Sequence, residues 1–257
     1  MENTVSTVSK VLDILLLFSA ERPEVSIEDI QSELMLPKST VYRYVRTLQE
    51  KGFLHKSGVS NYRPGLAFVS FSQAMLNSDR DLRTHCLPAM RRLSEKTRES
   101  ISLMRLLNKR VVCIESIQGQ YALRVTIEPG RTQVMHAGAS SKVLLAYLAP
   151  KQWETYLETP LQRFTDATIT DVATLSHEIK HVRSSGHAIS NGEIDIGARA
   201  VAVPLSNTQG GVIAALSVEA PHSRMDDTTA DTYIAWLKEE AGALGSTLDQ
   251  VFPAVPI

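Results

Sequence analysis

Apolar residues fall at helical spacing in the first fifth of the chain and then change period. Val11, Ile14, Leu15 and Phe18 share one face of a stretch that predicts a first helix over Lys10–Ala20. Ser26 precedes Ile27, Ile30 and Leu34, with Asp29 three residues on, a capping-box pattern that predicts a second helix. Met35-Leu36-Pro37 breaks it, because proline disfavours helix at the residue before it. A third helix is predicted from near Pro37 to Lys51, stopped by Gly52. Within it Val41, Tyr44, Val45 and Leu48 form one apolar stripe, and Ser39, Arg43, Arg46 and Glu50 point the other way, with Tyr42 and Thr47 on the flanks. Two short stretches, 53–56 and 61–64, flank the turn-rich Ser57-Gly58-Val59-Ser60 and predict a hairpin, a wing.

The rest of the chain alternates between the two periods. LAFVSFSQAMLN predicts a linker helix over 66–78, with a domain boundary near its end before Asp79. Leu82 to Glu99 is amphipathic and helical. Ser100–Leu107, Arg110–Gln118 and Tyr121–Ile127 read as antiparallel strands, separated by Asn108-Lys109 and Gly119-Gln120. Helices are predicted over 138–149, over Asp171–Ser185 with Gly186 as terminator, and over Asp226–Leu248 with Tyr233, Leu237, Ala241, Leu244 and Leu248 on one stripe. Strands are predicted at His187–Gly192, Ala198–Ser206 and Gly211–Ala220, the last two joined by Asn207-Thr208-Gln209-Gly210. Strands interrupted by helices, with antiparallel hairpins at each end, define an α+β domain after the N-terminal winged helix-turn-helix. The expected division is 1–65, 66–78 and 79–257.

Composition adds bounds. A length of 257 residues, 43% hydrophobic and 21% charged, suits one large or two medium globular domains. No apolar run is long enough for a membrane span, and the N-terminus lacks the pattern of a signal peptide, so a cytoplasmic location and no membrane partner are expected. Cys86 and Cys113 are the only cysteines and lack metal-ligand spacing, which predicts two buried free thiols. The net charge of −1 hides a local asymmetry. Between residues 38 and 63, Lys38, Arg43, Arg46, Lys51, Lys56 and Arg63 stand against Glu50 alone, six cations to one acid. Phosphate attraction acts within about 10 Å, so this local excess counts for more than the total.

Those cations sit where a duplex would meet them. Arg reads guanine edges and phosphates, and hydroxyls bind phosphates. Ser39, Thr40, Tyr42, Arg43 and Arg46 are the expected contacts to a double-stranded DNA operator, and Lys38, His55, Lys56 and Arg63 are expected to hold its backbone. One short helix reads few base pairs, so a homodimer is expected.

Nearly the whole chain, in order and at the expected spacings, resembles the IclR-type bacterial transcriptional regulators. The carrying segments are PKSTVYRYVRTLQEKGFL at 37–54, MHAGASSKVLLAYL at 135–148, FTDATITDVATLSHEI at 164–179, RSSGHAISNGEIDIGARAVAVPL at 183–205 and GGVIAALSVEAPHSR at 210–224. The resemblance implies a winged helix-turn-helix followed by a GAF-like sensing domain with a curved antiparallel sheet, assembled as dimers or dimers of dimers. It also implies a pocket for a small organic-acid effector between that sheet and the loop that starts the 138–149 helix. Position by position, it points to Met135, His136, Ala139 and Ser140, then to Ser190 and Asn191, to Ala200, and to Ser217 and Glu219. The chain departs from the family pattern twice: the loop ends Ser141-Lys142 rather than Gly-Lys, and Glu219 stands where a small residue is common. Independently, Ala139, Ser140 and Ser141 open a helix, and free backbone N–H groups there suit a carboxylate whose polar atoms Ser140, Asn191 and Ser217 could orient.

Two other readings compete. His177-Glu178-Ile179-Lys180-His181 matches the H-E-x-x-H signature of zinc hydrolases. The helix there buries Leu175, Ile179 and Val182, which turns His177 and His181 to solvent, and no third ligand falls at the needed spacing. No catalytic residue, metal or cofactor is therefore assigned. The other reading is a ligand-binding protein whose N-terminal domain contacts proteins.

Overall fold

A computed structural model describes residues 6–19, 22–78, 80–107 and 109–248. Ala20, Asp79 and Asn108, which fall in the predicted first helix, boundary and turn, lie outside the described residues. The chain divides into two compact units, 1–78 and 79–257.

The first unit is built from local signals. Helix α1 (Ser6–Leu16) starts and ends about four residues earlier than its predicted span. Strand β1 (Val25–Ser26) leads directly into α2 (Ile27–Leu34). The Ser26 hydroxyl accepts the Asp29 N–H at 3.0 Å, and the Asp29 carboxylate accepts the Ser26 N–H at 2.9 Å, completing the capping box. Met35 ends α2 in the left-handed region at φ 50°. Pro37 then caps α3 (Lys38–Glu50), its carbonyl accepting from Thr40 and Val41. Val41, Tyr44, Val45 and Leu48 are buried with Ile14, Ile27, Ile30 and Leu54 in one core. The wing is β2 (Leu54–Ser57) paired with β3 (Asn61–Pro64), and β1 adds a third strand that the sequence pattern did not reveal. Gly65 closes the wing so tightly that a Cβ there would lie 2.2 Å from the Gly52 carbonyl oxygen. Helix α4 (Ala67–Ser78) follows.

The second unit wraps six antiparallel strands, in the order β6-β5-β4-β9-β8-β7, into a half-barrel. They are β4 (Ser100–Leu107), β5 (Arg110–Ile117), β6 (Thr132–Gln133), β7 (Ala188–Asn191), β8 (Ala198–Ser206) and β9 (Val212–Pro221). Helices α5 (Arg80–Thr97) and α9 (Asp227–Leu248) cover one face, against Ile101, Leu103, Val201, Val203, Leu216 and Val218. Helices α6 (Ala139–Ala146) and α8 (Val172–Ser185) cover the other, against Met104, Ala202 and Ala215. Alternation along the strands puts Ser100, Ser102, Ser217 and Glu219 on this second face, which makes its interior polar at one end. Asp171 caps α8 through the Thr174 N–H at 2.7 Å, and Gly186 ends it at φ 69°.

Two elements differ from expectation. Tyr121–Ile127 is not a strand. The chain leaves β5 at Gly119, packed on the backbone of Glu99 and Ser100, and the Tyr121 ring then stacks under the guanidinium groups of Arg98 and Arg224. β6 takes the vacant edge instead, aligned by the 128–131 turn, whose Arg131 carbonyl accepts the Cys113 N–H at 3.0 Å. Helix α7 (Pro150–Leu157) was not anticipated from the sequence. Cys86 and Cys113 are both free and buried, and burial pushes each thiol up to about 12.

Candidate DNA-reading face and effector cavity

The helical spacing that buries Val41, Tyr44, Val45 and Leu48 leaves the other side of α3 open. Lys38, Ser39, Tyr42, Arg43 and Arg46 are exposed, and Thr40 is half-buried at the rim. Arg46 donates to Glu50 one turn on at 2.9 Å, and its side chain remains 81% exposed. Lys38 pairs with Glu28 of α2 at 3.1 Å. Both pairs are solvated, so either cation can exchange its carboxylate for a phosphate at little cost. The Arg43 guanidinium lies 5.6 Å from the Tyr44 ring centroid and, among the described residues, has no acidic partner. On the wing, His55 and Arg63 are directly paired across the strands and share the face away from the core. Lys56 pairs with Tyr62 and lies on the opposite face near the tip, so the hairpin does not bring all three together.

In the second unit a cavity opens between the start of α6 and the polar end of the sheet. Ala139 and Ser140 of α6, Ser190 of β7, Ala200 of β8 and Glu219 of β9, five of the nine expected residues, line it. So do Val125, Thr126 and Ile127, the stretch expected to be a strand. Freed from the sheet, it forms a wall of the cavity.

The other four expected residues lie elsewhere. Met135 is part of the core under α6. His136 is buried, with Nδ1 2.6 Å from the Tyr156 hydroxyl and Nε2 2.9 Å from the Gln162 carbonyl oxygen. A carbonyl can only accept, so Nε2 carries the proton and Nδ1 accepts from Tyr156. His136 thus fastens α7 and the following loop to the segment before α6. Asn191 is exposed at the end of β7. Ser217 lies one layer behind Glu219 and donates to it.

The start of α6 is held by an ion cluster that the sequence pattern did not disclose. Gly138, at φ 93°, is the cap, and its N–H donates to Glu193 at 2.9 Å. The other oxygen of Glu193 accepts from Lys142 Nζ at 2.6 Å, and Lys142 also donates to Glu178 at 2.8 Å and to the Ile189 carbonyl at 2.7 Å. Lys142 is 1% exposed. A buried lysine is stable only when its charge is matched and its donors are used, and all three are used here. Glu178 is the glutamate of the H-E-x-x-H segment, and its carboxylate is occupied in this cluster, with His177 and His181 exposed. Among the described residues no three His, Cys, Asp or Glu side chains are grouped to hold a metal ion.

The first three N–H groups of α6, those of Ala139, Ser140 and Ser141, have no carbonyl within the helix to bond. Two of these residues face the cavity. Glu219 forms the floor. Ser102 donates to one of its oxygens at 3.0 Å and Ser217 to the other at 2.5 Å. Burial pushes its carboxyl up to about 7, against the opposing effect of the two serine donors.

A helix-turn-helix with a wing, joined to a ligand-cavity domain on an antiparallel half-barrel, defines a class of one-chain regulators. The description "Bacterial transcriptional regulator IclR C-terminal" matches residues 74–245, and "IclR helix-turn-helix domain" matches residues 7–58. The HTH-type transcriptional regulator KdgR of Escherichia coli (strain K12) is 32% identical over 248 residues, 96% of this chain and 94% of its own. An IclR transcriptional regulator from Silicibacter sp. TM1040 superposes with a TM-score of 0.84 at 30% identity, covering 97% of this chain and 98% of the other. An IclR homologue from Microbacterium hydrocarbonoxydans, complexed with 4-hydroxybenzoate, superposes with a TM-score of 0.78 at 27% identity, covering 95% and 99%. The chain belongs to the IclR family of bacterial transcriptional regulators, with a DNA-binding helix-turn-helix and an effector-binding C-terminal domain.

Proposed function

We propose that α3 reads the operator in the major groove through Ser39, Thr40, Tyr42, Arg43 and Arg46, with Lys38 and the wing residues His55, Lys56 and Arg63 on the phosphates. The supporting observation is that every one of these side chains is exposed or at the rim, while the stripe behind them is buried. Arg43→Ala or Arg46→Ala is expected to cost ~1–3 kcal/mol of affinity for DNA upstream of the protein's own gene where the side chain reads a base. A band shift titrated against random DNA tests this. A loss equal on specific and random DNA reassigns that arginine to the backbone. The reading itself fails if neither substitution changes binding.

The cavity is proposed to take a small organic acid, its carboxylate at the N–H groups that open α6. The 4-hydroxybenzoate held by the Microbacterium homologue supports an acid of this size. Ligand binding then acts through the helix of residues 66–78 on two DNA-reading heads of a homodimer, or of a dimer of dimers, inside the cell. A coupling of ~1–3 kcal/mol suffices, provided that the ligand favours one arrangement over the other. A thermal-shift screen over small acids finds the ligand class, since a ligand of the folded form raises the melting temperature. Equal affinity of that ligand for free and operator-bound protein would falsify the switch. Among the described residues no helix is long and apolar enough to cross a membrane.

A further inference from the structure

The chemistry of the cavity is not that of a simple anion site. One wall, the start of α6, offers backbone N–H donors. The floor offers a carboxyl. Glu219 is fully buried in the sheet and lines the cavity, and each of its oxygens accepts one serine hydroxyl, from Ser102 and from Ser217. A carboxylate oxygen can accept two hydrogen bonds, so the acceptor capacity of Glu219 is half used. No basic side chain among the described residues pairs with it. Arg199 contributes to the same wall; its two terminal nitrogens go to the Met225 carbonyl and Asp227, and among the described residues its buried Nε has no partner. Three other charged groups line the cavity: Glu193, already bound to Lys142, and the exposed Asp195 and Arg131, one acid and one base.

From this we propose that Glu219 is the specificity-determining residue of the cavity: it selects acids whose far end carries a hydrogen-bond donor, a hydroxyl or an ammonium, and rejects acids whose far end is a second carboxylate. The inference rests on the reading that an organic acid occupies the cavity, and it adds which acid. The physical reason is asymmetric. A donor fills a buried acceptor that has left water, whereas a second carboxylate brings like charge to a buried group with which no cation is paired. Sites built around a buried polar group discriminate against ligands that leave it unmatched far more strongly than apolar pockets discriminate by size.

The test uses the full-length protein at about pH 8 with matched probes: gluconate against glucarate, and 4-hydroxybenzoate and 4-(aminomethyl)benzoate against terephthalate. Within each set the carboxylate anchor is constant and only the far end changes. By calorimetry, the donor-bearing member of an accepted set binds about tenfold or more tightly than its dicarboxylate. Glu219→Gln, whose amide donates as well as accepts, narrows that gap to about threefold or less, and melting curves establish that the variant folds. Equal or tighter binding of the dicarboxylate by the wild type overturns the selection role, and so does an unchanged gap in folded Glu219→Gln. The wild-type comparison decides even if the variant does not fold. If none of the five acids binds at about 10 mM, the organic-acid reading falls and takes this inference with it. Binding without discrimination overturns the role of Glu219 alone.

Discussion

Glu219 and Lys142 are both buried charges, and they behave as opposites. Lys142 has a matched set of partners, so its amine is a fixed tie between α6, α8 and the loop that carries Glu193. Removing it leaves Glu193 buried without a cation, and Lys142→Ala is expected to destabilise the second unit by ~3–5 kcal/mol in denaturant melts. Glu219 has donors and no cation, so burial raises its carboxyl from 4.5 to about 7. The folded state therefore holds this proton more tightly than the unfolded chain does. Its stabilising contribution is complete below about pH 4.5 and is lost as the pH rises through about 7. Cys113, Glu193, Asp195, Arg131 and Arg199 are the other titratable or charged groups around it, and of these Cys113 and Glu219 repel when both are ionised. Glu219→Gln, which has no charge to bury, is expected to gain roughly 2–3 kcal/mol on the wild type between about pH 5 and about pH 8. Melting both proteins across that range measures it. A constant difference would place the Glu219 carboxyl near its ordinary value.

At the level of elements, what the sequence disclosed was whatever is encoded locally. The Ser26–Asp29 box, the Pro37 start and the Gly52 stop set α2 and α3 to within a residue, because caps and breakers act over one turn. Tyr121–Ile127 misled for a physical reason. Alternation reports that one side of a stretch is buried and is silent on what buries it. Here Val125 and Ile127 turn to a cavity and Tyr121 to two arginines, with no strand alongside. The Lys142–Glu178–Glu193 cluster was illegible because it joins positions 36 and 51 residues apart, and no local period records such a contact. All nine expected cavity residues belong to segments carrying the family likeness, and five of them line the cavity, so the likeness locates the region and not each side chain. The backbone approach at the wing base offers a test at this scale. Gly65→Ala drives a Cβ into the Gly52 carbonyl, where no side chain can give way, and is expected to cost the first unit ~1–3 kcal/mol. Hydrogen exchange would show faster opening in β2 and β3 with the second unit unchanged. Protection equal to the wild type would mean that the wing base can shift freely.

For the molecule as a whole, a net charge of −1 coexists with a cationic patch on one small unit, so the electrostatic part of DNA affinity is expected to come from the patch. The logarithm of operator affinity should fall linearly with the logarithm of salt concentration, and Lys38→Ala should reduce the slope by about one unit per bound head. An unchanged slope would show that Lys38 stays with Glu28 on the DNA.

The tie made by Glu193 also bears on how such a protein can diversify. It secures the start of α6 with side chains already paired to one another, while the floor residue is proposed to answer to the far end of the guest. Chemical taste and mechanical frame are thereby assigned to different amino acids. A lineage, or an engineer building a biosensor, can exchange position 219 for another side chain and seek a new inducer without dismantling the scaffold that relays its arrival.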